Sequence, residues 1–229
     1  AADHSILLQR AVKGLARRHN ATATFMAKPY PEDAGNGLHA HVSVLNDAGQ
    51  NIFDDGTDQG SAQLRQSIAG LLALLGESMA IFAPNVNSFR RFAPNLYVPT
   101  GPTWGYNNRS VAVRIPAGPN AARRIEHRMA GADANPYLTL AAVLAGIHHG
   151  ISQKLEPPPP RTDNAGACLD PTVPFTWQKS LDQLLPGTGL SQYLGEEYLA
   201  LYRECKQFEH DAFAREFTPL EYRWYLAPE

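Results

Sequence analysis

Residues 38–45 read Leu38-His39-Ala40-His41-Val42-Ser43-Val44-Leu45, with apolar and polar residues in alternation. Successive side chains of a strand leave on opposite faces. One face therefore carries Leu38, Ala40, Val42 and Val44 to a core. The other presents His39, His41 and Ser43. Asn46-Asp47-Ala48-Gly49 reads as a turn, after which Asn51–Phe53 pairs back as a hairpin.

Upstream, Leu7, Leu8, Ala11, Val12, Leu15 and Ala16 recur at helical spacing, predicting a helix over 3–19 with Asp3 as cap. Residues 22–27 predict a strand ended by Lys28-Pro29, because a residue before Pro is pushed to extended geometry. A Gly-containing loop follows at 32–37. Downstream, 61–82 predicts one long apolar helix. Residues 84–108 are rich in Pro, Asn, Gly and aromatics and read as a long irregular binding loop. Strands are expected at Ser110–Ile115 and Ala122–Met129. On the second, Arg124, Glu126 and Arg128 share a face, opposite Arg123, Ile125 and His127. Asn135 caps a buried helix that has Pro136 first and runs to about Gly150. Pro157–Pro160 is extended, residues 157–174 form a surface connection, and two or three short helices cover about 177–226. Strands and helices mix without βαβ alternation, which predicts an α+β fold with largely antiparallel pairing.

The 229 residues include 20 Lys+Arg against 22 Asp+Glu, a formal net charge of -2. That balance argues against nucleic acid or a membrane surface as partner. No apolar run approaches the ~20 residues needed to span a bilayer. The opening AADHSILLQR lacks the pattern of a secretory signal. Cys168 and Cys205 read as free thiols in a reducing, cytoplasmic compartment. Only five of the 20 basic residues are Lys, and seven arginines lie between Arg90 and Arg128 with Glu126 as the sole acid. Arginine is favoured where carboxylate or phosphate is gripped bidentately, so this segment predicts an anion site.

His39-x-His41 alone reads as a structural pair or as metal ligands; zinc would need a third ligand that no nearby His/Cys cluster supplies. An oxygen-rich Mg²⁺ or Mn²⁺ site with one His is the alternative. Glu126 is either the centre of an ion-pair ladder or a metal ligand beside phosphate clamps. No GxxxxGK[ST], GxGxxG or GxSxG motif is present. Arginines converging on one carboxylate and one His suit phosphoryl transfer.

Lys28-Pro29, Ala34–Ser43, Asn87–Pro94, Trp104–Ser110 with Arg114-Ile115-Pro116, Ala122–Arg128 and Asp133–Leu138 occur in order along the chain. Together they resemble the glutamine synthetase superfamily, nearest its γ-glutamylpolyamine branch. The resemblance implies an ATP-dependent ligase that activates the γ-carboxylate of glutamate as γ-glutamyl phosphate and joins it to a small amine. It implies Mg²⁺ or Mn²⁺ held by His39 and Glu126, ATP contacts from His41, Ser43, Arg109, Arg114 and Arg124, and glutamate contacts from Gly35, Arg91, Arg109 and Arg128. Arg109 and Arg128 resemble the catalytic arginines at the transferring phosphoryl group. By the same analogy the protein is a ring-shaped homo-oligomer, and the fold is part of a catalytic domain with a curved, mostly antiparallel sheet flanked by helices.

The sequence departs from the family pattern at several points. An acidic flap residue of ammonia-using members falls on Tyr97, which favours a longer amine over ammonium. Ala121 and Ala34 stand where many members carry Lys and Asn, and no adenylylation-type tyrosine motif is recognisable in 157–174. The resemblance places residues 1–229 in the C-terminal part of the catalytic domain, without the N-terminal β-grasp domain and the other metal-binding glutamates. The chain alone is therefore expected to be inactive and to expose an apolar face and a sheet edge. The competing expectations are glutamine formation from ammonia, a non-catalytic structural or regulatory homologue and, more remotely, a zinc hydrolase built on His39 and His41.

Overall fold

In the computed structural model, which describes residues 1–184 and 189–226, the alternating stretch forms β1 (Ala40–Val42), with Ala40 buried and His41 exposed. The return to Asn51 is a single bridge, Leu45 to Asn51, flanked by Ile52 N donating to Val44 O. Helix α1 (Ala2–Arg18) precedes it, with Asp3 in the first turn rather than at the cap. None of its residues is buried, and Leu7, Leu8, Val12 and Leu15 face outward, the apolar exposure anticipated above. Residues 22–27 are not a strand. That segment is tied by single bonds instead of a ladder: Asn36 N donates to Ala27 O and its Nδ2 to Met26 O, and the Asn87 amide brackets the backbone of Lys28 on both sides.

The helix expected over 61–82 is two, α2 (Ala62–Ala73) and α3 (Leu75–Phe82), hinged at Leu74 with φ −89 and ψ 5. Ser61 caps α2 through its side chain. The irregular stretch after α3 contains α4 (Val86–Phe89), capped by Asn85, and β2 (Trp104–Tyr106). The two expected strands shrink to β3 (Val113–Ile115) and β4 (Ile125–His127), and a 3-10 turn over Asn120–Ala122 takes up the start of the second. Helix α5 (Pro136–Ser152) starts as read, with the Asn135 side chain accepting from Tyr137 N and Leu138 N. Residues 157–174 carry no helix or strand. The last part holds α6 (Trp177–Gln183), α7 (Ser191–Leu194), α8 (Glu196–Ala214) and α9 (Pro219–Tyr225) among the described residues. Residues 185–188 of that expected helical range lie outside them.

The α+β expectation holds. The sheet is small and mixed rather than a broad curved one, in the order β1-β4-β3-β2. β4 is antiparallel to β1 and β3, whereas β2 and β3 are parallel. Strands of three residues make that parallel return short, about 10 Å, so residues 107–112 can span it without a helix. Asn107 turns the chain at φ 49 and donates its N–H to Ile115 O. The core beneath joins Phe53, Ile68, Met79, Phe82, Ile125, Met129 and Val143. It includes a helix contact without side chains: a Cβ at Gly150 would lie 1.9 Å from Gln66 O, and one at Gly70 2.1 Å from Gly146 O. Helices α2 and α5 therefore touch backbone to backbone.

Candidate active site

Strand β4 puts Glu126 in the middle of the sheet, directly opposite His41 on β1 and Arg114 on β3. Arg114 in turn faces Gly105 on β2. Residues opposite one another share a face, so one row of side chains crosses the sheet. His39, Arg124 and Arg128 join that face two residues along. Glu126 is buried at 3% exposure, with Oε1 2.6 Å from Arg128 Nη1 and 3.1 Å from His39 Nδ1, and Oε2 2.6 Å from Arg114 Nη1. Burial alone would raise its pKa, but hydrogen bonds from His39, Arg114 and Arg128 hold the carboxyl well below the usual range. The site thus keeps an ionised carboxylate out of water by surrounding it with cationic donors.

Arg124 does not join Glu126. Its Nε donates to His41 Nδ1 at 3.2 Å. Burial, with Arg124 beside it, pushes the His41 imidazole below its ordinary value against the pull of Glu126. Ser43 lies towards the edge, its hydroxyl donating to Arg123 O at 2.9 Å. Arg123 is structural: it donates to Asp58 O, Thr57 O and Asn120 Oδ1 and so holds the loop at 57–60.

Arg91 lies deeper, 3% exposed, bonded to Met129 O and stacked on Phe92 at 4.9 Å. Its pKa is pushed down to about 10, chiefly by burial, with Asp133 pulling the other way. Gly35 leaves it room, since a Cβ there would sit 2.8 Å from Arg91 Cγ and 2.6 Å from Ala27 O. On the other side Arg128 Nη2 donates to Arg109 O at 2.9 Å and to Tyr97 O at 3.4 Å. Arg109 and Tyr97 are exposed, and both line a cavity of about 620 Å³ with Asn95, Asn108 and Asp163.

The structure brings His39, Glu126, Arg114 and Arg128 into contact, sets His41 and Arg124 beside them, and ties Arg109 and Tyr97 to them through backbone carbonyls. Among the described residues no group of three or more His, Cys, Asp or Glu gathers. Cys168 and Cys205 are free and exposed, and no described helix is long and apolar enough to cross a membrane. Sequence reasoning assigned no role to Asn108, Ser110 or Asn164, which fasten the flap and the Arg109 turn. Polar residues on both sides of an arginine were the available signal.

Comparison with known proteins gives a consistent picture. Residues 1–225 match the family described as glutamine synthetase, catalytic domain. The chain is 44% identical over 229 residues to gamma-glutamylputrescine synthetase of Escherichia coli (strain K12), covering 99% of this chain and 48% of that protein. It is 35% identical to gamma-glutamylethanolamide synthetase of Streptomyces coelicolor, covering 96% of this chain and 47% of that one. A solved structure described as apo GmaS without ligand superposes with a TM-score of 0.88 at 31% identity, over 99% of this chain and 53% of that chain. The chain spans about half the length of the curated relatives it matches.

Proposed function

The chain belongs to the glutamine synthetase catalytic-domain family, and from that premise we propose that the protein is an ATP-dependent ligase joining the γ-carboxylate of glutamate to a small amine. The observation that carries this is the buried Glu126 ringed by Arg114, Arg128 and His39, with Arg91 and Arg109 on either side. Such a surround suits two anions that must meet, a carboxylate and a triphosphate. Arg91 and Gly35 would hold glutamate. His41, Ser43, Arg114 and Arg124 would face ATP. Arg109 and Arg128 would neutralise charge on the group in transfer, and the amine would then displace phosphate from γ-glutamyl phosphate.

A divalent cation fits the donor set. His39 Nδ1 and Glu126 Oε1 lie 3.1 Å apart, a spacing at which both would hold one ion in place of the bond between them. A hard ion such as Mg²⁺ or Mn²⁺ takes few protein ligands and completes its shell with phosphate oxygens and water. When bound it would offset phosphate charge.

Tyr97 sits where an acid would be needed to draw in ammonium, which supports an amine with a carbon chain, and the relatives named for putrescine and ethanolamide agree with that. The reading extends to a homo-oligomer and to inactivity of residues 1–229 by themselves, because two metal donors do not make a complete site. The test is ADP release by the full-length protein with ATP and glutamate, comparing putrescine with ammonium. Putrescine is expected to be the better substrate. Release with ammonium alone would make the protein a glutamine synthetase, and release with neither would make it a non-catalytic homologue.

A further inference from the structure

Within residues 161–166, Thr162, Asp163 and Asn164 line the 620 Å³ cavity that Arg109 and Tyr97 also line. Arg161 N donates to Trp104 O at 2.7 Å, and a Cβ on Gly105 would lie 2.5 Å from Arg161 O, so the segment lies directly on the β2 backbone. Asn108 uses its whole amide. Its Nδ2 donates to Arg161 O at 3.1 Å and Asp163 O at 2.9 Å, while its Oδ1 accepts from Ser110 N and Ser110 Oγ. Ser110 Oγ then accepts from Ala165 N at 2.9 Å. The residues on both sides of Arg109 are thus bound to one segment.

The same segment holds the flap. Asn95 N donates to Gly166 O at 2.8 Å, and Asn164 Nδ2 donates to Asn95 Oδ1 at 3.2 Å. Asn95 and Tyr97 have φ of 63 and 53, conformations that cost free energy in any residue but Gly and persist only where surroundings impose them. Two residues on, the Tyr97 carbonyl accepts the 3.4 Å bond from Arg128 Nη2.

We infer that residues 161–166 are a positioning strap, and that Asn108 and Asn164 are positioning residues that fix the distance between Arg109 and Tyr97 and hence the width of the amine entrance. This rests on the ligase reading above. Neither residue touches the reacting atoms; both act by placing groups that do.

Asn108→Asp separates the strap from the turn: the carboxylate still accepts from Ser110 but now faces the carbonyls of Arg161 and Asp163. Asn164→Ala removes the side-chain tie to the flap and leaves the backbone one, and Gly105→Ala wedges the strap from below and stands in should Asn108→Asp not fold. Full-length protein would be assayed with ATP, glutamate and putrescine, and hydrogen exchange followed at residues 94–98. The variants are expected to raise the putrescine KM about tenfold, leave the ATP KM within about twofold, and speed exchange at 94–98. A general loss of folding would lower kcat without moving the amine KM. An unchanged putrescine KM with unchanged exchange overturns the strap. If the unmutated protein turns over no amine, the ligase reading fails, and the exchange result alone decides the strap.

Discussion

Glu126 is where single side chains matter most. Replacing it with Gln removes the charge that Arg114, Arg128 and His39 share and leaves buried cations unpaired. Breaking a buried pair in this way costs about 3–5 kcal/mol, so Glu126→Gln is expected to lower the urea midpoint as well as abolish activity. Unchanged stability would mean that the arginines find water instead. Tyr97 should act on selectivity: Tyr97→Glu is expected to raise the rate with ammonium relative to putrescine, and a ratio that stays or falls contradicts the assignment of the flap. His127, fully buried with its Nδ1 unpartnered and its ring 4.5 Å from Phe82, has its pKa pushed down to about 3, by burial first and then by His39 and Arg91. The unfolded imidazole ionises near 6.5. Its contribution is therefore complete above that pH and fades as pH falls towards 3, by up to about 1.4 kcal/mol per unit. Urea unfolding at pH 7 and pH 5 measures the slope, and His127→Phe should flatten it.

Among the elements, the contact of α2 with α5 tolerates no side chain. Gly150→Ala pushes a methyl into Gln66 O and should destabilise the protein by about 1–3 kcal/mol, as overpacking does; a neutral effect would show that the helices separate freely. The sequence made α5 legible because Asn135-Pro136 is a local signal, and β1 because alternation fixes which residues face the core. Residues 22–27 differ from the expected strand for a physical reason: Met26 O and Ala27 O bond Asn36, and the adjoining Lys28 bonds the Asn87 side chain, single partners from other segments rather than a neighbouring strand. The break at Leu74 was hidden because the residues on both sides are apolar and helix-forming. The centre of the site was readable from the arginine-rich run around one acid. Its division was not: nothing local in Arg124-Ile125-Glu126-His127-Arg128 says that Arg124 turns to His41 while Arg128 stays on Glu126.

For the molecule as a whole, about half of the relatives' length lies beyond this chain. The outward Leu7, Leu8, Val12 and Leu15 of α1, and Phe208, Phe217 and Trp224 near the other end, form apolar surface without cover among the described residues. Residues 1–229 expressed alone are expected to show no putrescine-dependent ADP release; turnover would show that the site needs nothing more. Arg128 adds a point about how such a site can change over generations. It grips the carbonyls of Tyr97 and Arg109, not their side chains. Every residue type offers a carbonyl, so position 97 can mutate without loosening its anchor. On the ligase reading, substrate preference and attachment would then be inherited separately, and exchanging one exposed side chain would change the amine within an otherwise untouched frame.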